Sequence, residues 1–389
     1  MSAENLSSAG RRHSLAAIIA STFGIGVNLG IVTPLVTLSL ERDGVDATLI
    51  GLNAAMPALA VLLFSPHIAR LAGRAGTLTT LFAGLGLALA GVLLMPVFRD
   101  LAAWFVLRFG IGLALTMAWV VGETWINTVV TEQTRGRVLG FYATAFYAGL
   151  ACGPLIVQAI GIDGWMPFLA AAASLALAAL PLMAAQGLAP ALSARAALRI
   201  GQVVRAAPFI VAAAMIAGLS ETAVYTLLPL YGLRSGLERD GAMLMLTLFV
   251  AGGVAFQFPI GWLADRLGRR RTLLVCMLAS LAGCALLPFA VERALLIWFM
   301  MPLWGGLIGS FYTLTLGLLG QRFEARDLLV ANAAFILAYE LGGAIGPALG
   351  GAAMDLWDPH GLPLAVAGAL AGFLLFAALR RLRGARNSS

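Results

Sequence analysis

Four ionisable side chains lie inside otherwise apolar stretches of the chain: Arg108, Glu123, Glu221 and Glu340. An ionisable group at the centre of a membrane helix costs about 2.5–3.5 kcal/mol, so each position calls for a use. Glu221 comes 13 residues into an apolar run that starts at 208, and Glu340 comes 12 residues into one that starts at 328. At a rise of 1.5 Å per residue each is about 18–20 Å along its helix, near the midplane of a ~30 Å hydrocarbon core. A carboxyl held at that depth is suited to taking up and releasing a proton. Two carboxyls sharing one apolar space repel each other when both are charged, which would link the arrival of a cation to the departure of a proton.

The other two groups read differently. Arg108 and Glu123 share one run but are 15 residues apart, about 22 Å along a helix, so they cannot pair directly. Glu123 is close in sequence to Arg135 and Arg137, which leaves two readings open: an ion pair at the mouth of the bundle, or a part in proton coupling. Asn28, Tyr147, Tyr225, Gln257, Tyr312 and Tyr339 are polar or amphipathic residues within apolar runs. They are candidates for the lining of a substrate cavity. Trp119 and Trp304 are expected to serve as apolar packing or interface anchors. No HExxH, P-loop, GxSxG or glycine-rich dinucleotide pattern occurs in a suitable context, so no catalytic constellation is expected. Cys152, Cys276 and Cys284 lie in apolar runs without CxxC spacing, so neither disulfides nor a metal site is expected. No cofactor is expected, with protons as the coupling ion.

The elements that must position these groups follow from composition. The chain has 389 residues, is 61% hydrophobic and carries 11% charged residues, where a soluble domain has about 25%. Its mean hydropathy is +0.94. A soluble enzyme, a nucleic-acid binder and a disordered chain are excluded together. A span takes about 20 apolar residues, so roughly twelve spans use the whole length. The apolar runs are 14–40, 48–66, 77–98, 101–127, 138–160, 165–186, 208–232, 242–263, 272–290, 294–319, 328–354 and 361–380. Arg11-Arg12 before the first run loosely resembles a twin-arginine export signal. The run behind it is too long for a signal peptide, and it is expected to be the first span.

All 25 basic residues are Arg and the net charge is +7, which suits loops facing anionic lipid. Nineteen of them lie in alternate loops and the two tails, five lie in the opposite loops, and Arg108 is within a span. The positive-inside rule therefore places both termini and the central loop in the cytoplasm. The expected organisation is a six-helix bundle over 1–186, a cytoplasmic linker over 187–207 and a second six-helix bundle over 208–389. The halves also repeat. Pro34 recurs as Pro229, Gly73 and Thr77 recur as Gly268 and Thr272, and Leu40–Gly44 recurs word for word as Leu237–Gly241. Gly149-x-x-x-Gly153-Pro154 recurs as Gly342-x-x-x-Gly346-Pro347. Shifts near half the length imply two halves of the same topology, related by an axis along the membrane normal. The glycine spacing suits close helix packing.

Gly261-Trp-Leu-Ala-Asp265-Arg266-Leu-Gly268-Arg269-Arg270-Arg271 resembles, at every key position, the G-x-L-a-D-r-x-G-r-r loop motif of the major facilitator superfamily of secondary transporters. The likeness extends across essentially the whole chain. Physically, the glycine allows a tight turn, the Asp can cap a neighbouring helix, and the Arg cluster anchors at the inner leaflet. In the equivalent first-half loop, Arg70 stands where the motif has Asp. Arg108-Phe-Gly-Ile-Gly112 resembles the R-x-x-x-G motif whose Arg is associated with proton transfer in that superfamily. The Gly-x-x-x-Gly-Pro segments resemble the antiporter motif of its drug-efflux branch.

The resemblance implies an all-α integral membrane protein of twelve helices in two pseudo-symmetric bundles, working by alternating access. It implies a proton-coupled antiporter that exports a small amphipathic or cationic compound from a bacterial inner membrane. The alternative is a proton-coupled uptake symporter for a sugar or similar metabolite. A multispan enzyme or channel is the remote third. The expected partners are a small-molecule substrate and the lipid bilayer, with no nucleic acid, and the protein is expected to be monomeric.

Overall fold

A computed structural model describes residues 7–131, 134–189, 200–323 and 325–386. Among them are the helices α1 (Ser8–Arg42), α2 (Ala47–Ala75), α3 (Thr77–Leu94), α4 (Leu101–Val129), α5 (Arg135–Ile160) and α6 (Met166–Ala184). A short α7 (Ile200–Ala206) precedes α8 (Pro208–Arg234), α9 (Arg239–Ala255), α10 (Gln257–Leu267) and α11 (Arg269–Val291). The chain ends with α12 (Ala294–Arg322), α13 (Ala325–Leu356) and α14 (Gly361–Arg386).

Eleven of these helices are long and apolar enough to cross a membrane, and α9 with α10 makes a twelfth span bent by 44°. The expected span over 242–263 is therefore made of two helices with a break between them. Pro259 has no N–H to donate, and its ring collides with the carbonyl four residues back. That residue is Ala255, where α9 stops. The large side chains left exposed on the spans are themselves apolar, among them Val106, Leu177, Leu278, Phe289 and Phe299. Such a surface suits lipid tails.

The helices gather into two compact units. One holds the described residues up to 40 and those from 56 to 189, and the other holds 41–55 and the described residues from 200 onward. The turn between α1 and α2 thus groups with the second unit, although it lies inside the expected 1–186 bundle. Residues 190–199 of the expected linker lie outside the described residues. The linker's last part is more than a connection: Val203 of α7 and Ala207 pack into a core with Ile210, Leu319, Val330 and Phe335.

Both units use the same device at their centre. In the first, a Cβ at Gly149 would strike the Phe23 carbonyl, and one at Gly153 would strike Gly30, so α1 and α5 meet backbone to backbone. In the second, Gly218 lies against the Tyr339 carbonyl, Gly342 against that of Met215 and Gly346 against that of Leu219, which joins α8 to α13. Pro154 and Pro347 are buried beside these contacts. Pro34 lies within α1 and Pro229 within α8. Small residues permit this approach in a membrane, where dispersion and helix contact must supply the cohesion.

The structure corrects the register of one repeat. Gly268 caps the start of α11 at φ 87°, and the residue doing the same for α3 is Gly76 at φ 92°. Thr80 and Thr272 each donate to the carbonyl of that cap glycine, at 2.9 and 3.2 Å. Gly73 instead lies within α2, where no positive φ is needed. Leu71-Ala72-Gly73-Arg74-Ala75-Gly76 consequently aligns with Leu263-Ala264-Asp265-Arg266-Leu267-Gly268. The first-half counterpart of Asp265 is Gly73, not Arg70.

Candidate substrate and coupling site

In the second unit the mid-helix carboxyl of α8, Glu221, meets α13. The Tyr339 hydroxyl donates to Glu221 Oε2 at 2.8 Å. The backbone contact at Gly218, one helical turn before Glu221, sets this spacing because it abuts the carbonyl of Tyr339 itself. Thr222 reinforces it, with its hydroxyl 2.7 Å from the Gly218 carbonyl and 3.2 Å from that of Gly343. Tyr339 also stands edge to face with Tyr312 of α12 at 5.1 Å between ring centres, and Tyr312 does the same with Phe335 at 5.0 Å. Phe335 is fully buried, whereas Glu221, Tyr312 and Tyr339 are half-buried. The result is a carboxylate with a hydroxyl donor whose ring belongs to an aromatic cluster. That chemistry suits a cation or an amphipathic molecule.

Glu340 follows Tyr339 in α13 and is also half-buried. Adjacent residues project about 100° apart around a helix, so it faces a different direction from the tyrosine that binds Glu221. Tyr225 is half-buried one turn beyond Glu221 on α8. Gln257 opens α10 at the break in the bent span. Its amide donates to the Gly309 carbonyl at 3.4 Å and accepts from Thr313 Oγ1 at 3.2 Å, tying the break to α12.

The loop motif Gly261–Arg271 lies at the α10–α11 corner. Gly261 is within α10, with open space where a Cβ would be. Asp265 and Arg266 are exposed, and the Arg266 guanidinium lies 3.7 Å over the Trp262 ring. Arg269 donates to the Gly317 carbonyl at 2.8 Å, fixing the start of α11 to α12.

The first unit holds the remaining candidates. Asn28 is fully buried and donates from Nδ2 to the Ala171 carbonyl at 2.9 Å, linking α1 to α6. Arg108 is 3% exposed within α4. Tyr147 meets Phe146 edge to face, and Phe146 meets Trp119 at 4.9 Å. Trp119 and Tyr142 lie beside Glu123, and Thr22 lies beside Tyr142. Ser21, Thr22, Trp119 and Tyr142 help line a cavity of about 10 Å³, enough for about one water. The Arg135 side chain, one of the two expected partners of Glu123, lies outside the described residues.

Trp119, expected as packing, stacks edge to face on Tyr142 and Phe146 and lies beside Glu123. Trp304 is packing: it is 1% exposed and donates to the Ser280 carbonyl at 3.1 Å. Thr222, Thr22 and Tyr142 were not singled out, and the i to i+4 spacing of Gly218 and Thr222 was the signal that could have marked the first. The three cysteines carry free thiols.

Comparisons with known proteins agree with this architecture. The family model described as Major Facilitator Superfamily matches residues 18–246 and again 210–389. An uncharacterized MFS-type transporter of Bacillus subtilis, YfkF, is 27% identical over 348 residues, which is 87% of this chain and 88% of that one. The MFS-type transporter YcaD of Escherichia fergusonii is 28% identical over 307 residues, 77% of each chain. Among solved structures, the nucleoside transporter NupG superposes with a TM-score of 0.76 at 14% identity, over 93% of this chain and 98% of that one. An inward-facing bacterial homolog of the human lysosomal transporter Spinster gives 0.72 at 13% identity, over 96% of each. With a family match over both halves and twelve spans in two repeated sets, the chain is a membrane transporter and belongs to the Major Facilitator Superfamily.

Proposed function

We propose that this transporter is a proton-coupled antiporter that exports a small amphipathic or cationic compound across a bacterial inner membrane, with both termini in the cytoplasm. The observation that carries this reading is the Glu221 carboxylate, bound by Tyr339 at mid-helix, whose ring stands edge to face with Tyr312. A cation arriving there finds one negative charge and π-faces. Glu340, one residue from Tyr339, supplies a second carboxyl on the same helix. A cation and a proton competing for these groups give exchange its coupling. Arg108 and Glu123 are the corresponding proton-handling candidates of the first unit. Asn28, Tyr147, Tyr225 and Gln257 complete the proposed cavity lining. Gly261, Asp265, Arg266, Gly268 and Arg269 form the proposed gating corner. The protein works as a monomer without cofactors.

A second reading draws on Gln257 and Thr313, an amide and a hydroxyl already paired at a broken helix. Such groups suit a hydroxylated metabolite taken up by symport. Purified protein in liposomes with an imposed pH gradient separates the two. Proton release driven by a lipophilic cation such as ethidium is the expected result. Proton entry driven by a sugar would replace export with uptake.

A further inference from the structure

A cavity of about 330 Å³ lies between the start of α9 and the turn from α11 to α12, and it shares no lining residue with the Glu221 site. Its size falls within the range of small-molecule sites. One wall is formed by Leu237, Gly241 and Leu244, whose spacing of four and three residues places them on one side of α9 and the turn before it. The other wall is Val291, the last residue of α11, with Ile297 and Trp298 from the beginning of α12. Glu292 brings the one carboxylate into this apolar lining. It stands in the turn between the two helices, whereas Leu244 is five residues beyond the start of α9, about 8 Å along that helix. The charged end is thus at the turn and the apolar end lies inward, the polarity of an amphiphile standing along a membrane helix.

The repeated segment shows how the cavity comes to be open. Leu40–Gly44 and Leu237–Gly241 are identical in sequence. In the first copy α1 continues to Arg42, and Leu40 is buried within it. In the second copy α8 has already stopped at Arg234, the chain turns at Gly236 with φ 89°, and α9 starts at Arg239. The same five residues end a helix in one half and open one in the other. Leu237 is thereby moved from a helix interior to a cavity wall. Gly241 adds no side chain to that wall, and a Cβ there would touch nothing nearer than Leu237 at 3.7 Å.

The charges at the rim are unequally engaged. Arg239 and Asp240 on α9 face each other, Nε to Oδ1 at 3.8 Å. Glu292 and Arg293, consecutive and both exposed, have no ion-pair partner among the described residues. One negative and one positive group therefore stand side by side. Trp298 and Phe299 beside them are 53% and 72% exposed, and tryptophan favours the level where headgroups meet hydrocarbon.

We propose that this cavity is a site for one phospholipid with an ethanolamine headgroup, its ammonium on Glu292, its phosphate on Arg293 and an acyl chain between Leu237, Leu244, Val291 and Ile297. A primary ammonium offers three N–H donors to a carboxylate, whereas a quaternary choline offers none. A glycerol headgroup leaves the lipid anionic and brings a like charge to Glu292, which disfavours it. The test is native mass spectrometry of the full chain, delipidated in detergent and supplied with dioleoyl phosphatidylethanolamine, phosphatidylcholine or phosphatidylglycerol. The first ethanolamine lipid should be held about fivefold more tightly than either of the others, and Glu292→Gln should abolish that preference. Arg293→Gln should weaken the ethanolamine and choline lipids alike, because both carry the phosphate. Gly241→Leu fills the cavity and should lower retention of all three. Should that variant not fold, a diazirine on the acyl chain of the ethanolamine lipid locates the site in the unmodified protein, where it should label residues 237–244 or 291–298. Equal or reversed retention of the three lipids, a preference that survives Glu292→Gln, or labelling confined to other helices would each overturn the proposal.

Discussion

Tyr339 donates its hydroxyl to Glu221 while its own backbone carbonyl rests against Gly218, one turn earlier on the same partner helix. One residue thus sets both the distance between α8 and α13 and the orientation of the mid-helix carboxylate. Packing and chemistry are coupled at that point: an addition to the glycine seam moves the carboxylate, and loss of the hydroxyl frees it.

The glycine seam should therefore be intolerant of even one methyl group. Gly218→Ala and Gly346→Ala place a Cβ into the Tyr339 and Leu219 carbonyls, and overpacking of this kind costs about 1–3 kcal/mol. Gly368→Ala and Gly372→Ala, where nothing lies near the added atom, should leave stability unchanged or slightly raised. Thermal unfolding of the detergent-solubilised variants separates the two pairs. Equal melting temperatures for all four would mean that α8 and α13 are not in backbone contact.

Much of this frame was legible in the sequence because a membrane imposes a simple code. Each apolar run but 242–263, which is split between α9 and α10, became a helix, and Pro34 with Pro229 and the Gly-x-x-x-Gly-Pro pairs announced the repeat. Other features depend on geometry that letters do not carry. Gly73 matched Gly268 by identity, yet the residue with the required positive φ is Gly76, three positions on. The bend between α9 and α10 was hidden because both pieces are apolar, and hydropathy does not register a lost hydrogen bond at Pro259. Glu221 stood out by depth, but its partner Tyr339 could not be chosen among the tyrosines without knowing which faces of α8 and α13 meet.

Arginine placement makes the topology testable without a substrate. A reporter fused after Arg386 should report the cytoplasm, and one inserted beside Glu238, in the turn between α8 and α9, should report the opposite side. An even number of spans requires the two termini to agree. A C-terminal reporter that is active only outside the cytoplasm would reverse the orientation and the direction of every gradient argued above.

Removing the Tyr339 hydroxyl and the Glu221 charge should have separable effects. Tyr339→Phe deletes one donor to a charged acceptor, and a bond of that type is worth about 1.5–3 kcal/mol. Glu221→Gln keeps the shape and loses the charge. Binding of ethidium, followed by its fluorescence in nanodiscs, should weaken by roughly ten- to a hundredfold in Glu221→Gln. A neutral amphipathic compound should be affected much less. Equal losses for charged and neutral compounds would show that Glu221 shapes the cavity without selecting charge.

The coupling step is tested by dividing the two carboxyls of the second unit. Glu221 is engaged by Tyr339, whereas Glu340 projects from the next position of α13 in another direction. Binding at one group and proton exchange at the other would let a cation displace a proton without both having to occupy one site. Glu340→Gln, which cannot exchange a proton, should still bind ethidium but show no pH-driven movement of it in liposomes. Its binding should also lose the dependence on pH expected of the unmodified protein. Glu221→Gln should retain a pH response at reduced affinity. The roles are exchanged if the two variants give the opposite pattern. If the double Gln variant still drives ethidium with an imposed proton gradient, coupling does not reside in this pair, and Glu123, with Trp119 and Tyr142 beside it, becomes the group to substitute next.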